Sequence, residues 1–409
     1  MFSAYVKSSN YLSQKNNSLI KNVIYLDNNS TTAVDSVVIE KMLPYFTDLF
    51  ANANSTHLFG VEAYEAVKLA RKQVANIIGA EQHEIVFTSG ATESINIAIK
   101  GVAENYQTKG KHIITVSTEH SAVLDTCNFL ESKGFEITYL TVNSEGLVDL
   151  NDLKNKLRSD TILVTLMLAN NETGVVNPVK EIAELTHTAG ALFMSDVTQA
   201  IGKIDVNVDE LGIDILCLSG HKIYAPKGIG GLFVRQRNNR VKLPALIHGV
   251  GHERGMRSGT LNVPGIVALG AACEVAKREL IDYSERISEL RNFLESELLK
   301  IPGTKINGST KSRLPNTSNV QFNGVDSDAI ILALSNPEND VPMIAVSNGS
   351  ACTSSSVEPS HVLTAMGLDE TDAFSSIRFS LGKFNTHHEI KIVISTVTNA
   401  VNRLRLMLG

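Results

Sequence analysis

The sequence predicts an α/β fold in which helices cover both faces of a mainly parallel β-sheet. From residue 85 onward, short apolar segments typical of strands alternate with segments of helical character. Strands that are separated by helices in this way form parallel sheets. Each apolar segment also ends in a polar turn. Ligands of such sheets bind beyond the carboxyl ends of the strands, so these turns are where a site is expected.

The chain has 409 residues, too many for a single hydrophobic core. We expect a large domain over residues 23–261, whose first residues can pack on the small domain, and a smaller α+β domain over 262–409. Within the latter, residues 265–299 indicate one long helical region with a break or cap inside it, and residues 387–408 a terminal helix. Residues 1–22 contain no acid and none of the arginines of a transit peptide. We expect them to form a flexible N-terminal extension.

The composition is that of an ordinary globular protein, with 43% hydrophobic and 20% charged residues. A net charge of -6 gives no reason to expect direct binding to nucleic acid, and no apolar run is long enough to span a membrane. The four cysteines form no C-x-x-C pair and no cluster with metal-ligand spacing. We therefore expect no metal, thiols rather than disulfides, and a cytoplasmic setting.

Six strand segments are expected before residue 220, at 85–87, 112–117, 136–141, 161–168, 191–194 and 213–218. Polar residues follow five of them, and because parallel strands end at one edge of a sheet, these residues are expected to converge. They are Thr92, His120, residues 170–172, Asp196 with Gln199, and residues 219–222.

Lys222 and Asp196 are the strongest candidates in this set. A lysine at a strand end is normally just solvated, but an amine that forms a Schiff base needs a partly desolvated setting and an anchored carbonyl partner. The small and hydroxyl residues near Lys222 would let a phosphate approach closely. A carboxylate such as Asp196 can keep a ring nitrogen protonated, and Gln199 can bind a ring hydroxyl from the same turn. The alternative is that Asp196 only caps the helix that follows.

Two further features favour a flat, phosphorylated ligand. Gly90, Ala91 and Thr92 open a helix, and helix N-termini bind phosphate through free N–H groups and the helix dipole. His120 can stack on a flat ring. The alternatives are a plain helix cap at Thr92 and a packed or surface histidine at position 120.

These pieces, in this order, resemble the cysteine desulfurases, which are pyridoxal phosphate (PLP) enzymes of the class V aminotransferase superfamily and of PLP fold type I. The resemblance runs from about residue 23 to the C-terminus. The motifs that carry it are YLDNNSTT (25–32), GATESIN (90–96), TEH (118–120), NNETG (170–174), DVTQ (196–199), SGHK (219–222), ERGMRSGT (253–260), GSACTS (349–354) and SIRFSLG (376–382).

The resemblance implies a seven-stranded sheet, with PLP attached to Lys222 in the large domain. Asp196 would meet the pyridine nitrogen and Gln199 the ring hydroxyl, while His120 would stack on the ring and move protons. The phosphate would be bound by Ala91, Thr92, Ser219, His221 and, from the neighbouring subunit of a homodimer, Thr260. Asn171 and Arg378 would bind the substrate carboxylate, for which an arginine fork is geometrically suited.

Cys352 decides the type of reaction. Its neighbours are small and hydroxylic, as in a mobile loop, whereas Cys127, Cys217 and Cys273 have the apolar surroundings of core residues. The resemblance implies that Cys352 in the small domain attacks the sulfur of L-cysteine, keeps it as a persulfide and releases L-alanine. The sulfur would then pass to a sulfur-acceptor protein.

Other readings stay open at this point. A selenocysteine lyase or an aminotransferase would share the fold, and a non-catalytic scaffold of a sulfur system would retain it without chemistry. The segment before Cys352 is longer than in housekeeping relatives, and the chain ends without the tail that such relatives use to dock an iron–sulfur scaffold. We therefore expect a sulfur supply either for iron–sulfur assembly or for a dedicated pathway such as nucleic-acid thio-modification.

Overall fold

A computed structural model describes residues 23–237, 240–335, 341–348 and 358–408 of the chain. The predicted N-terminal extension and Cys352 lie outside these residues. No helix in the described ranges combines the length and the apolar character needed to cross a bilayer.

The described chain alternates strands and helices. The strands are β1 (Val23–Tyr25), β2 (Ile85–Thr88), β3 (His112–Val116), β4 (Glu136–Leu140), β5 (Thr161–Thr165), β6 (Leu192–Asp196), β7 (Ile215–Ser219), β8 (Gly230–Val234), β9 (Thr304–Asn307), β10 (Thr317–Phe322), β11 (Met343–Ala345) and β12 (Ser376–Ser380). The helices are α1 (Ser36–Met42), α2 (Pro44–Thr47), α3 (Leu58–Ile77), α4 (Ala91–Tyr106), α5 (Ser121–Glu131), α6 (Leu150–Lys156), α7 (Val179–Thr188), α8 (Val263–Leu298), α9 (Ser327–Ser335), α10 (His361–Ala365), α11 (Glu370–Phe374) and α12 (His387–Leu408).

The main sheet has seven strands in the order β2-β8-β7-β6-β5-β3-β4. All of its pairings are parallel except those of β8 with β7 and with β2. The predicted α/β fold with a mainly parallel sheet is therefore confirmed. The six expected strands are present, and β8 is the strand that the sequence pattern did not single out.

Both faces of the sheet are covered by apolar clusters. Val86, Ile113 and Leu163 contribute to one cluster, with residues of α4 and α5. Ile114, Val164 and Phe193 contribute to the other, with residues of α3, α7 and the first part of α8. Successive residues of a strand point to opposite faces, so a strand that is buried on both sides must be apolar throughout. This two-sided burial leaves the strand ends as the place for polar groups.

Helix α8 is a single helix of 36 residues, so the break or cap expected inside residues 265–299 is wrong. Its one proline, Pro264, lies in the first turn, where proline is tolerated, and no later residue interrupts the hydrogen bonds. The two halves of α8 are buried in different cores. Leu269 and Cys273 belong to a core of the main sheet, whereas Ile287 and Leu294 belong to a separate core.

The separate core lies against two smaller sheets, an antiparallel β12-β10-β9 sheet and a parallel β1-β11 pair. Ile24 and Leu26, from the start of the described chain, are part of this core. Directly after β1, Asp27 forms a parallel bridge with Ser380 at the end of β12. The N-terminal strand thus leads directly from the second core to the edge of the main sheet. The division of the chain at residue 262 stays a prediction.

Candidate active site

A cleft of about 540 Å³ lies at the carboxyl ends of β2, β5, β6 and β7. Most of the residues that the sequence singled out line it, namely Ala91, Thr92, His120, Asn171, Asp196, Gln199, Ser219, His221, Lys222 and Arg378. Thr260 does not line this cleft, and its side chain is exposed. Its expected role belongs to the site of a second copy.

One end of the cleft is formed by the N-terminus of α4. Gly90 is its N-cap and has no side chain to cover the first N–H groups, which have no partner within a helix. Ala91 and Thr92 provide the first turn, and Ser219 lies beside Gly90. The helix start is pressed against β8, because a Cβ on Gly230 would lie 2.6 Å from the Gly90 Cα. This end suits a phosphate group.

The back of the cleft is formed by the turn after β6. Asp196 is the last residue of the strand, is 8% exposed, and accepts a 2.8 Å hydrogen bond from the Thr198 N–H. Gln199 donates from Nε2 to the Asn29 carbonyl at 3.0 Å. Its Oε1 and its carbonyl accept from the Lys203 amine at 2.9 and 3.0 Å. The turn therefore presents a carboxylate and an amide whose orientation is fixed.

Lys222 closes a short turn, Gly220–Lys222, directly after β7. Its amine donates to the carbonyls of Asn29 and Ser30 at 2.5 and 2.6 Å. These carbonyls belong to the segment that follows β1, so the N-terminal part of the chain positions the amine.

Two histidines, His120 and His221, line the cleft. The Nδ1 atom of His120 accepts from the Ala122 N–H at 3.1 Å at the start of α5, which leaves Nε2 to carry the proton of the neutral ring. Burial, together with the charges of Lys222 and Lys227, lowers the pKa of His221 to about 4. His221 is therefore neutral at pH 7 and acts as a hydrogen-bond partner rather than as a cation.

Arg378 lies at the opposite end of the cleft on β12 and is 3% exposed. Its guanidinium donates to the Asn171 carbonyl at 3.0 Å and to the Asp27 carboxylate and Ser30 hydroxyl at 2.7 Å each. Its Nε has no partner within the described ranges. The arginine is thus oriented at the rim of the cleft by an internal carboxylate.

Sequence reasoning missed three residues of this site, Asp27, Asn29 and Lys203. Asp27 and Asn29 lie in a motif that was recognised, but no property of that motif says which groups its carbonyls and carboxylate meet. Lys203 gave no signal, because a lysine in a turn is normally exposed. Its burial is evident only from the packing around it.

The described thiols are poor nucleophiles. Cys127, Cys217 and Cys273 are free and buried. Burial raises the pKa of Cys127 and of Cys273 to about 12, and it raises the pKa of Cys217 well above its ordinary value. No group of acidic, histidine and cysteine side chains suited to a metal ion occurs in the parts of the chain that the structure describes.

Comparison with known proteins identifies close relatives. A family model described as aminotransferase class-V matches residues 24–393. The chain is 50% identical to the cysteine desulfurase IscS of Haemophilus influenzae (strain PittGG) over 387 residues, which cover 94% of each chain. A solved NifS-like protein matches with a TM-score of 0.86 and 38% identity, over 93% of this chain and 100% of the other. A solved structure of SspA in complex with cysteine has a TM-score of 0.76 and 39% identity, with coverage of 88% and 99%.

Proposed function

We propose that this chain, which belongs to the aminotransferase class-V family and is a PLP-dependent cysteine desulfurase, transfers sulfur in two steps. The sulfur of L-cysteine passes first to Cys352 and then to an acceptor protein. The observation that carries this proposal is the cleft in which Lys222, Asp196, His120 and Arg378 converge. A relative in complex with cysteine supports L-cysteine as the substrate.

The residues that line the cleft fit PLP. The start of α4, with the Ser219 hydroxyl and the neutral His221 ring, offers donors to a phosphate. The carboxylate of Asp196 suits a protonated pyridine nitrogen, and the Gln199 amide suits the ring hydroxyl. When bound, PLP supplies an electron sink for the charge that remains when the substrate Cα loses its proton.

The side chains of the cleft would have separate roles in the reaction. The Lys222 amine would carry the cofactor and take the proton from the substrate Cα, in a position close to the Asn29 and Ser30 carbonyls. His120, with the proton on Nε2, would be suited to hydrogen bonding and to moving protons next to the cofactor. Asn171 and Arg378 would orient the substrate carboxylate at the rim of the cleft.

The sulfur step belongs to Cys352, whose position lies outside the described residues. Its thiolate attacks the substrate sulfur, so that an S–S bond forms as the C–S bond breaks. The electron pair of the broken bond stays with the carbon skeleton, which is protonated and leaves as L-alanine. The buried state of the other three thiols supports this assignment, because none of them is accessible and easily ionised.

The acceptor that we propose is a protein of iron–sulfur assembly or of nucleic-acid thio-modification. We also propose a reducing, cytoplasmic setting, which is consistent with three unpaired buried thiols. Direct binding of this chain to nucleic acid or to a membrane is not part of the proposal.

We further propose a homodimer in which Thr260 completes the phosphate site of the other subunit. An apolar surface supports it, formed by exposed side chains of α3, of the segment that precedes α3 and of the loop around residue 250, and we call it the α3 surface. Phe50, Leu58 and Val250 are 67%, 87% and 86% exposed there. His252 connects its two parts by contacting Asn54 and the Gly259 N–H, next to Thr260. Apolar surfaces of this kind mark association sites.

A single-turnover experiment tests the sulfur step. The holoenzyme is mixed with L-cysteine, and the alanine formed and the mass of the intact protein are measured. We expect wild type to form alanine and to gain a sulfur atom, whereas Cys352→Ser forms no protein persulfide. Cys127→Ala, which removes a buried thiol, is the matched control and should behave like wild type.

Two outcomes contradict the proposal. If Cys352→Ser forms the protein persulfide at the rate of wild type, another group accepts the sulfur. If wild type releases selenium from L-selenocysteine but forms neither alanine nor persulfide from L-cysteine, the lyase alternative replaces the desulfurase.

A further inference from the structure

Lys203 is a fully buried lysine behind the cleft. It is 3% exposed, and its amine donates to both oxygen atoms of Gln199, the backbone carbonyl and Oε1. Within the described part of the chain, no carboxylate forms an ion pair with this amine. The positive charges of Lys222 and Arg378 repel it.

Such a residue destabilises the fold. A buried ammonium without a counter-ion is costly, and most proteins avoid it. Burial, followed by repulsion from Lys222 and Arg378, lowers the pKa of Lys203 to about 7. A side chain that is kept at this cost beside a catalytic cleft points to a role in the site rather than in stability.

The hydrogen bonds of Lys203 select one of the two possible orientations of the Gln199 side-chain amide. An amide has an acceptor end and a donor end, and a lysine offers only donors. Because Oε1 of Gln199 accepts from Lys203, the Nε2 end must point toward Asn29 and the cleft. The Asn29 carbonyl that accepts from this Nε2 also accepts from Lys222. Lys203 thus acts on the cofactor lysine through two intervening groups.

Both lysine residues also line a second, small cavity. Tyr224 and Tyr283 are among its other lining residues, and its volume is about 20 Å³. The two lysines are therefore neighbours in this cavity, in addition to their electrostatic repulsion.

We propose that Lys203 is a positioning residue, which turns the donor end of the Gln199 amide toward the cofactor ring hydroxyl and makes the surroundings of Lys222 more positive. This inference rests on the proposed function, because it requires PLP in the cleft on Lys222. It adds a residue that does not touch the cofactor but controls one that does.

The expected spectroscopic effect has a definite sign. A donor directed at the ring oxygen disfavours a proton on the Lys222 nitrogen, and so does the positive charge of Lys203 at pH values below its lowered pKa of about 7. Without Lys203, the pH midpoint of the visible absorbance change of the bound cofactor should therefore rise. Other titratable groups also face the two lysines. Those that line the cleft are Asp27, Glu93, His120, Asp196, His221, Lys227 and Arg378, and those that line the small cavity are Asp35, Tyr224, Glu279, Tyr283 and Lys383.

The test uses holoenzyme with Lys203→Met, which retains the length of the side chain but cannot donate. Loss of a charge-assisted hydrogen bond predicts that PLP dissociates on the order of tenfold faster. We also expect a higher pH midpoint of the cofactor absorbance, and an apo-protein melting temperature that is equal to or above that of wild type. Lys180→Met, which changes an exposed lysine of α7, is the matched control and should alter none of these values.

The inference is overturned if Lys203→Met releases PLP at the wild-type rate and has the wild-type pH midpoint of the cofactor absorbance. It is also overturned if the variant has a lower melting temperature but unchanged spectra. If Lys203→Met does not fold, Lys203→Gln is measured in the wild-type and Gln199→Ala backgrounds. An effect of equal size in both backgrounds shows that Lys203 does not act through Gln199. Lys222→Ala separates the two proposals. If this variant retains the absorbance of covalently attached cofactor, the proposed function fails and the inference fails with it; if the absorbance is lost while Lys203→Met behaves like wild type, only the inference fails.

Discussion

The charged residues of the cleft are held by groups from distant parts of the sequence. The Lys222 amine is bound by carbonyls of Asn29 and Ser30, and Arg378 is paired with Asp27 at 2.7 Å. Each pair joins the N-terminal segment to a residue from a later part of the fold. Removal of one partner of a buried pair leaves the other uncompensated, so the N-terminal segment belongs to the site energetically as well as geometrically.

His187 provides a pH-dependent contribution to stability away from the cleft. Its Nε2 lies 2.8 Å from the buried carboxylate of Asp214, and this hydrogen bond raises the pKa of His187 despite the opposing effects of burial and Arg235. Since the folded state binds the proton more tightly, the stability that protonated His187 adds is fully present below pH about 6.5, which is the ordinary pKa of histidine. It is lost as the pH rises through the higher pKa of the folded protein.

We therefore expect His187→Gln to destabilise the holoenzyme more at pH about 5.5 than at pH about 9. The measurement is the free energy of unfolding in urea at both pH values. His83→Gln, at an exposed position, is the control and should leave the pH dependence of wild type unchanged. An equal loss at both pH values would mean that the His187 proton is not coupled to folding.

At the scale of elements, the position of α4 depends on β8. A Cβ on Gly230 would lie 2.6 Å from the Gly90 Cα and 2.7 Å from the Leu218 carbonyl oxygen, so backbone atoms on both sides block a side chain here. The next residue, Gly231, has its nearest neighbour at 3.4 Å, which is an ordinary contact. Of these two adjacent glycines in one strand, only Gly231 leaves room for a side chain.

We expect Gly230→Ala to cost roughly 1–3 kcal/mol of stability, as overpacked sites do, and to weaken PLP binding because the start of α4 moves. Gly231→Ala is the matched control and should change neither property appreciably. Melting temperature of the apo-protein and equilibrium binding of PLP measure the two effects. Unchanged PLP binding in a destabilised Gly230→Ala would show that the helix start is not held by this contact.

The same two glycines explain why β8 escaped the sequence analysis. A strand that begins Gly-Gly has weak strand propensity and follows a turn motif, so its pattern resembles a loop. Strands β3 and β5 were evident because every residue in them is buried and most are apolar or β-branched. The unbroken α8 was missed because its apolar face changes partner along its length, which blurs the periodicity of a helix.

At the scale of the whole molecule, the cleft lies where two packing units meet. Its back and one end come from the main sheet, while Arg378 comes from β12 and Asp27 from the segment after β1. The Ser360 hydroxyl adds a contact across this boundary by donating to the Glu172 carboxylate, next to Asn171. The end of the cleft at Arg378 is therefore formed by residues from both units.

The proposed homodimer gives a prediction at this scale. Leu58→Glu places a charge in the α3 surface, so we expect the variant to be monomeric in sedimentation velocity. We also expect it to bind PLP more weakly, because Thr260 of the second copy no longer reaches the phosphate site. Leu406→Glu changes an equally exposed leucine of α12, 85% against 87%, and should leave the assembly state unchanged. A dimeric Leu58→Glu would indicate that this surface is not the interface.

The sequence by itself determined the fold class, the strands β2 to β7, and ten of the residues that line the cleft. These follow from local patterns, since apolar strands, polar strand ends and short motifs are properties of neighbouring residues. Only the tertiary structure decided that Asp27 pairs with Arg378, that Asn29 and Ser30 hold Lys222, and that Lys203 is buried against Gln199. The reason is that such contacts join residues far apart in the chain, and burial and hydrogen-bond geometry arise only when the elements pack together.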